Sequence, residues 1–195
     1  MKNLFLKFFL IVFFLICNRL NSFAQEENQS EEPRMSFNGG LAIPLGKFEN
    51  IIGGDAGKAQ DGYMFGTDIN FPSRRKTKLL FTLLYAKNEY FTNSDSQFAT
   101  AWKSLSPLVG FRFKMNKVEQ TTLYWSLQLG GTFLTSPDII DLNTFPIKKI
   151  KADSEFYFTG SLSVGIIVNN VININSRYLG NKKSQLLLFS AGIVF

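Results

Sequence analysis

Apolar and polar side chains alternate with a two-residue period through most of the chain beyond position 34. The clearest stretch sets Leu123, Trp125, Leu127, Leu129 and Phe133 on one face against Tyr124, Ser126, Gln128, Gly130 and Thr132 on the other. Successive side chains of a strand point to opposite faces, so this rhythm predicts ribbons with one greasy and one wet side. Eight segments carry it, each of roughly ten residues, the length a tilted strand needs to cross a bilayer.

The first strand is expected at Met35–Gly46, with Phe37, Leu41, Ile43 and Leu45 opposed to Ser36, Asn38, Gly40 and Ala42. The second, Gly62–Phe71, sets Tyr63, Phe65, Ile69 and Phe71 against Gly66, Asp68 and Asn70. The third, Lys78–Glu89, is the least clean, because Leu80 and Leu84 share a face with Thr82, Ala86 and Asn88. The fourth, Trp102–Met115, puts Leu105, Val109, Phe111 and Phe113 opposite Ser104, Ser106, Gly110, Arg112 and Lys114. The fifth is the stretch around Trp125, and the sixth alternates Phe156, Phe158, Leu162, Val164 and Ile166 with Tyr157, Thr159, Ser161, Ser163 and Gly165. Asn169-Asn170 predicts a tight hairpin, since asparagine tolerates positive φ. The seventh strand sets Ile172 and Ile174 against Asn173, Asn175 and Arg177, and the eighth ends the chain with Leu187, Phe189, Ala191, Ile193 and Phe195 in phase.

Two features favour an antiparallel up-and-down transmembrane barrel over a sandwich. The connections alternate long (47–61, 90–101, 135–152, 179–184) and short (72–77, 116–121, 169–170). Outer-membrane barrels have longer outer loops and short periplasmic turns, which puts both termini in the periplasm. Charge also avoids the apolar face: Asp68, Arg112, Lys114 and Arg177 have inward parity, while Lys87 and Lys103, of outward parity, stand at strand ends. A lysine or arginine facing lipid at the midplane costs roughly 2–4 kcal/mol. Aromatics near strand ends (Phe37, Tyr63, Phe71, Phe113, Phe133, Phe156, Tyr178, Phe195) are placed as an interfacial girdle requires.

Composition changes the picture at the N-terminus. Lys2 and Lys7, an apolar run to Cys17, and Ser22-Phe23-Ala24 before Gln25 have the charge, length and exit chemistry of a cleavable signal peptide over 1–24. Residues 25–34 are acidic and polar, expected as a flexible periplasmic lead-in to a barrel domain over 35–195. Cleavage takes Lys2, Lys7 and Arg19 from the 21 basic residues, leaving 18 against 15 acidic ones and lowering the formal charge from +6 to +3. The basic balance is therefore partly a property of the leader and does not point to nucleic acid. Cys17 is the only cysteine, so the mature chain has no disulfide and closure of the sheet must supply stability.

The leader ending Ser22-Phe23-Ala24-Gln25, the stretch from Gly39 through Ile43-Pro44-Leu45-Gly46 to Phe48, the glycine-containing strands and the terminal phenylalanine resemble the small outer-membrane β-barrel proteins of Bacteroidota, of the eight-stranded OmpA/OmpX type. The resemblance covers residues 35–195. It implies an integral envelope protein inserted by the barrel-assembly machinery, with Phe189, Ile193 and Phe195 as the assembly signal. Ser190 stands where that signal usually has glycine.

The chain has no histidine, which removes the usual general base and the commonest zinc ligand. The inward acids Asp68 and Glu155 are expected at different heights, so no carboxylate pair is indicated and no catalytic, metal or cofactor site is expected. Inside the barrel, Asp68, Arg112, Lys114, Tyr124, Gln128, Asn173, Asn175 and Arg177 are expected as a polar cluster. An eight-stranded barrel has room only for its own side chains, which makes the cluster a hydrogen-bonded plug rather than a pore. Strand glycines, Gly130-Gly131 among them, are read as relieving crowding at barrel bends and not as phosphate cradles.

Partners expected are outer-membrane lipid and lipopolysaccharide, with an envelope protein as a further option. Weak signals in the connections are Lys148, Lys149 and Lys151 for lipopolysaccharide phosphates and Asp138 and Asp141 for calcium, while the basic turn 74–78 reads by default as a solvated turn, with anionic lipid or a cell-wall partner as its functional reading. The leading expectation is a non-enzymatic outer-membrane barrel working through its outer loops. The alternatives are a narrow channel or accessory piece of a secretion or uptake complex, and a soluble lipocalin-like binder with its apolar face inside.

Overall fold

The computed structural model describes residues 33–45, 59–71, 77–90, 97–118, 120–141, 148–150 and 153–195. The expected leader, most of the lead-in, Gly53-Gly54 and Arg74-Arg75-Lys76 lie outside them. Among the described residues eleven strands follow in chain order: β1 (Arg34–Pro44), β2 (Ala59–Phe71), β3 (Thr77–Tyr90), β4 (Gln97–Ala99), β5 (Trp102–Val118), β6 (Thr121–Thr135), β7 (Ile139–Asp141), β8 (Lys148–Ile150), β9 (Ser154–Val168), β10 (Ile172–Gly180) and β11 (Gln185–Val194). Eight of these close into one antiparallel barrel in the order β1-β11-β10-β9-β6-β5-β3-β2. Closure pairs every strand on both sides and removes the exposed edges that an open sheet would present. The seam is sealed between the first and last barrel strands, where Met35 and Phe195 exchange backbone hydrogen bonds of 3.2 and 2.8 Å.

The expected alternation is realised with the apolar parity outward. Phe37, Phe65, Phe111, Leu127, Leu129, Phe158, Leu162, Ile174, Phe189 and Ile193 are all exposed on the outer wall. Asp68, Arg112, Ser126, Gln128, Asn173 and Arg177 are buried in the lumen. A soluble barrel around an apolar ligand needs the opposite arrangement, so that alternative does not survive.

Local sequence explains the tight places. Asn169 and Asn170 have φ of 54° and 59°, and the Val171 amide donates to the Val168 carbonyl at 3.0 Å, closing the predicted two-residue turn. A Cβ on Gly110 would overlap the carbonyl oxygen of Leu127, and one on Gly40 that of Phe189. At both positions neighbouring backbone crowds the inner face so closely that only hydrogen fits.

Three expectations are corrected. The fourth sequence strand runs on to Val118, with a register irregularity after Lys114, and Lys114, still paired opposite Tyr124, lies exposed near the short-turn end instead of joining the buried cluster. The long connections are not plain loops, since β4, β7 and β8 form a second sheet in the order β4-β7-β8. Finally, the lumen is not polar throughout. Ala42, Met64, Leu84, Ala86, Trp102, Leu108, Leu134, Leu179, Leu186 and Leu188 form a buried apolar cluster, each in the half of its strand nearest the long connections. Leu84 thereby finds its partners, and Leu80 is likewise buried.

Candidate functional site

The polar part of the lumen is organised around one carboxylate. Asp68 on β2 accepts from Nη2 of Arg112 on β5 at 2.9 Å and from Nη2 of Arg177 on β10 at 3.1 and 3.2 Å. It also accepts from the Thr82 hydroxyl on β3 at 2.5 Å. All four side chains are almost completely buried. Two guanidiniums against one carboxylate leave the cluster with an excess positive charge, held in a low-dielectric setting where unpaired charge is costly.

From Arg112 the network continues across the lumen through β6, β10 and β1. The Arg112 guanidinium lies 4.2 Å from the centroid of the Tyr124 ring, a cation–π contact. The Tyr124 hydroxyl donates to Asn173 Oδ1 at 2.6 Å, Asn173 Nδ2 to Asn38 Oδ1 at 3.0 Å, and Asn38 Nδ2 to the Ser36 hydroxyl at 3.3 Å. On the other side Gln128 Nε2 donates to the Thr82 hydroxyl at 2.8 Å. A second, separate chain of hydroxyls joins Ser106, Thr132 and Thr159 at 2.7 and 2.8 Å, and Ser126 meets Ser163 at 2.5 Å.

Of the eight residues expected in the cluster, Asp68, Arg112, Tyr124, Gln128, Asn173 and Arg177 are brought together. Asn175 is buried in the same lumen but stands outside the bonds just described. Lys114 lines the short-turn mouth with Arg34, Lys78 and Arg112, around a cavity of about 50 Å³. Ser36, Asn38 and Thr82 were legible as inward by parity, but membership of the network depends on cross-strand register. Glu155 is exposed at the opposite end, where Tyr157 donates to it, far along the wall from Asp68.

Chemically, this arrangement holds and fills. Every charged group at the centre is engaged by a neighbour of opposite charge, and the apolar cluster stacks above it. Among the described residues no group of three or more metal-ligating side chains converges. Asp138 backs onto Thr100 through its amide, at 2.8 Å, while the side chains of Asp141, Lys148, Lys149 and Lys151 lie outside the described residues.

Beyond the barrel rim, the small sheet continues the wall on one side only. Its order β4-β7-β8 repeats that of β5-β6-β9 beneath, to which the same connections lead. Between the two sheets the connecting segments pair side by side, the Thr100 amide bonding to the Asp138 carbonyl and the Ser136 amide to the Asp153 carbonyl, both at 2.9 Å.

No protein-family model matches the chain, and no curated protein matches it. Solved structures do. The crystal structure of Neisserial surface protein A (NspA) superposes with a TM-score of 0.55 at 10% identity, covering 86% of this chain and 98% of that one. That of Ail, the attachment invasion locus protein of Yersinia pestis, in complex with the heparin analogue sucrose octasulfate, gives 0.51 at 15% identity, covering 84% and 99%. At these identities the likeness is one of fold.

Proposed function

We propose that this chain is a non-enzymatic, integral outer-membrane β-barrel protein, exported by its leader. In this reading it crosses the bilayer with eight strands and keeps both termini in the periplasm. The observation that carries the reading is the reversal of faces: large apolar side chains cover the outside while Asp68, Arg112 and Arg177 are locked inside. Only a hydrocarbon surround makes such an exterior favourable, and only a closed barrel satisfies its backbone there. Its work is contact at the cell surface, made by the outer connections and the raised β4-β7-β8 sheet, with a filled lumen as scaffold. Phe189, Ile193 and Phe195 lie exposed on and just beyond the last strand, where the assembly machinery would read them.

The test is heat-modifiable migration in detergent combined with protease treatment of intact cells. A faster-migrating unheated form, cleaved only in the long connections, is expected. Release from membranes by alkaline or high-salt wash would overturn the proposal.

A further inference from the structure

Hydrogen-bonded partners line up in rows across the outer wall, and one row marks a sharp change of polarity. Tyr63, Lys87, Lys103, Thr135 and Ser154 are register partners on β2, β3, β5, β6 and β9. One step nearer the short-turn end, the same five strands present Phe65, Tyr85, Leu105, Phe133 and Phe156. An aromatic and aliphatic row thus gives way to an ammonium and hydroxyl row within two residues, about 7 Å.

Lys87 and Lys103 stand directly opposite each other, an arrangement that like charges disfavour. Among the described residues neither makes an ion pair. Lys87 Nζ sits 5.6 Å from the centroid of the Tyr63 ring, and Lys103 is exposed. The row itself contains no carboxylate. Asp61 and Glu89 come next along β2 and β3 on the solvent side, and Asp153 precedes Ser154. Thr135 and Ser154 share a 2.8 Å hydroxyl bond. Glu155, between Ser154 and Phe156 on β9, has inward parity and accepts from the Tyr157 hydroxyl. On β2, β3 and β5 a ligand approaching along the wall from the apolar side therefore meets two ammonium groups and a tyrosine hydroxyl before any acid.

We propose that this row is a shelf for the phosphate of an anionic lipid in the outer leaflet, its acyl chains lying on the Phe65–Phe156 row beneath. The proposal rests on the reading of the chain as a membrane barrel. Strands lie under 5 Å apart, so two flexible lysine stems close on one phosphate, each ammonium offering up to three donors. The anion relieves the Lys87–Lys103 repulsion, and the interfacial position strengthens the attraction relative to bulk water.

The experiment is native mass spectrometry of the purified barrel titrated with phosphatidylglycerol or phosphatidylcholine of identical chains, and separately with inorganic phosphate. Phosphatidylglycerol is expected to be retained at least about tenfold better than phosphatidylcholine. That preference is expected to vanish in Lys87→Gln/Lys103→Gln and persist in Lys182→Gln/Lys183→Gln, which removes equal charge from an exposed turn. An unchanged preference in the first variant, or its equal loss in the second, would overturn the shelf. Binding of inorganic phosphate as tight as the lipid would overturn the lipid as its source. Each variant's heat-modifiable migration reports insertion independently, so failure of the membrane reading is recognised separately.

Discussion

Asp68 and Arg177, 109 positions apart in the chain, meet in the lumen with both carboxylate oxygens within 3.2 Å of one guanidinium nitrogen. The contact ties β2 to β10, three strands apart around the barrel, so it braces the wall across the lumen as well as along the sheet.

Removing the carboxylate should be the most damaging change in the lumen. Asp68→Ala leaves Arg112 and Arg177 buried and uncompensated, at a cost of about 3–5 kcal/mol in urea unfolding of the reconstituted barrel. Arg177→Met should cost less, because the remaining Arg112–Asp68 pair is neutral. The triple change Asp68→Leu, Arg112→Met, Arg177→Met should recover most of the loss. A triple variant as unstable as Asp68→Ala would show that charge burial is not the cause.

The wall should distinguish lipid from water by depth. Leu127, midway along β6 and exposed, faces outward. Leu127→Arg should destabilise the barrel in vesicles by roughly 2–4 kcal/mol, and Val171→Arg, at the short-turn end, by no more than about 1 kcal/mol. Equal costs would mean that the wall has no apolar surround.

The β9–β10 turn should tolerate glycine and reject branching. Asn170 has φ 59°, where a β-branched side chain is strained. Asn170→Val is expected to lower stability by about 1–2 kcal/mol, with Asn170→Gly near neutral. Equilibrium unfolding midpoints decide this.

A filled lumen should not conduct. In planar bilayers the purified protein is expected to give no steady ohmic steps, because Tyr124, Met64, Leu108, Leu186 and Leu188 are fully buried across the interior. Stable conductance at constant voltage would contradict the plug.

Much of this architecture was legible in the sequence, and the physics says why. Two-residue alternation survives wherever one face meets lipid and the other does not, so Trp125 and its neighbours announced β6 directly. The Asn169-Asn170 turn was legible because few residues accept its φ. Register was not legible: parity put Asp68, Arg112 and Arg177 inside, but which of them touch depends on strand stagger. Lys114 has inward parity and still emerges at the mouth, since parity carries no depth. The apolar half of the lumen was hidden for another reason. Leu80, Leu84, Leu186 and Leu188 put large apolar groups on the inner face too, which blurs the alternation instead of sharpening it. The β4-β7-β8 sheet escaped because its three-residue strands are too short to show a period.

The chain's two tryptophans offer the most direct test of the central claim. Trp125 points outward and stacks on Phe113 with ring centroids 4.2 Å apart, while Trp102 is buried inside the barrel. Quenching by lipids brominated along their acyl chains reads contact with hydrocarbon. Trp102→Phe, which leaves Trp125, should be strongly quenched, and Trp125→Phe, which leaves Trp102, only weakly. The reverse order would turn the barrel inside out and contradict the account.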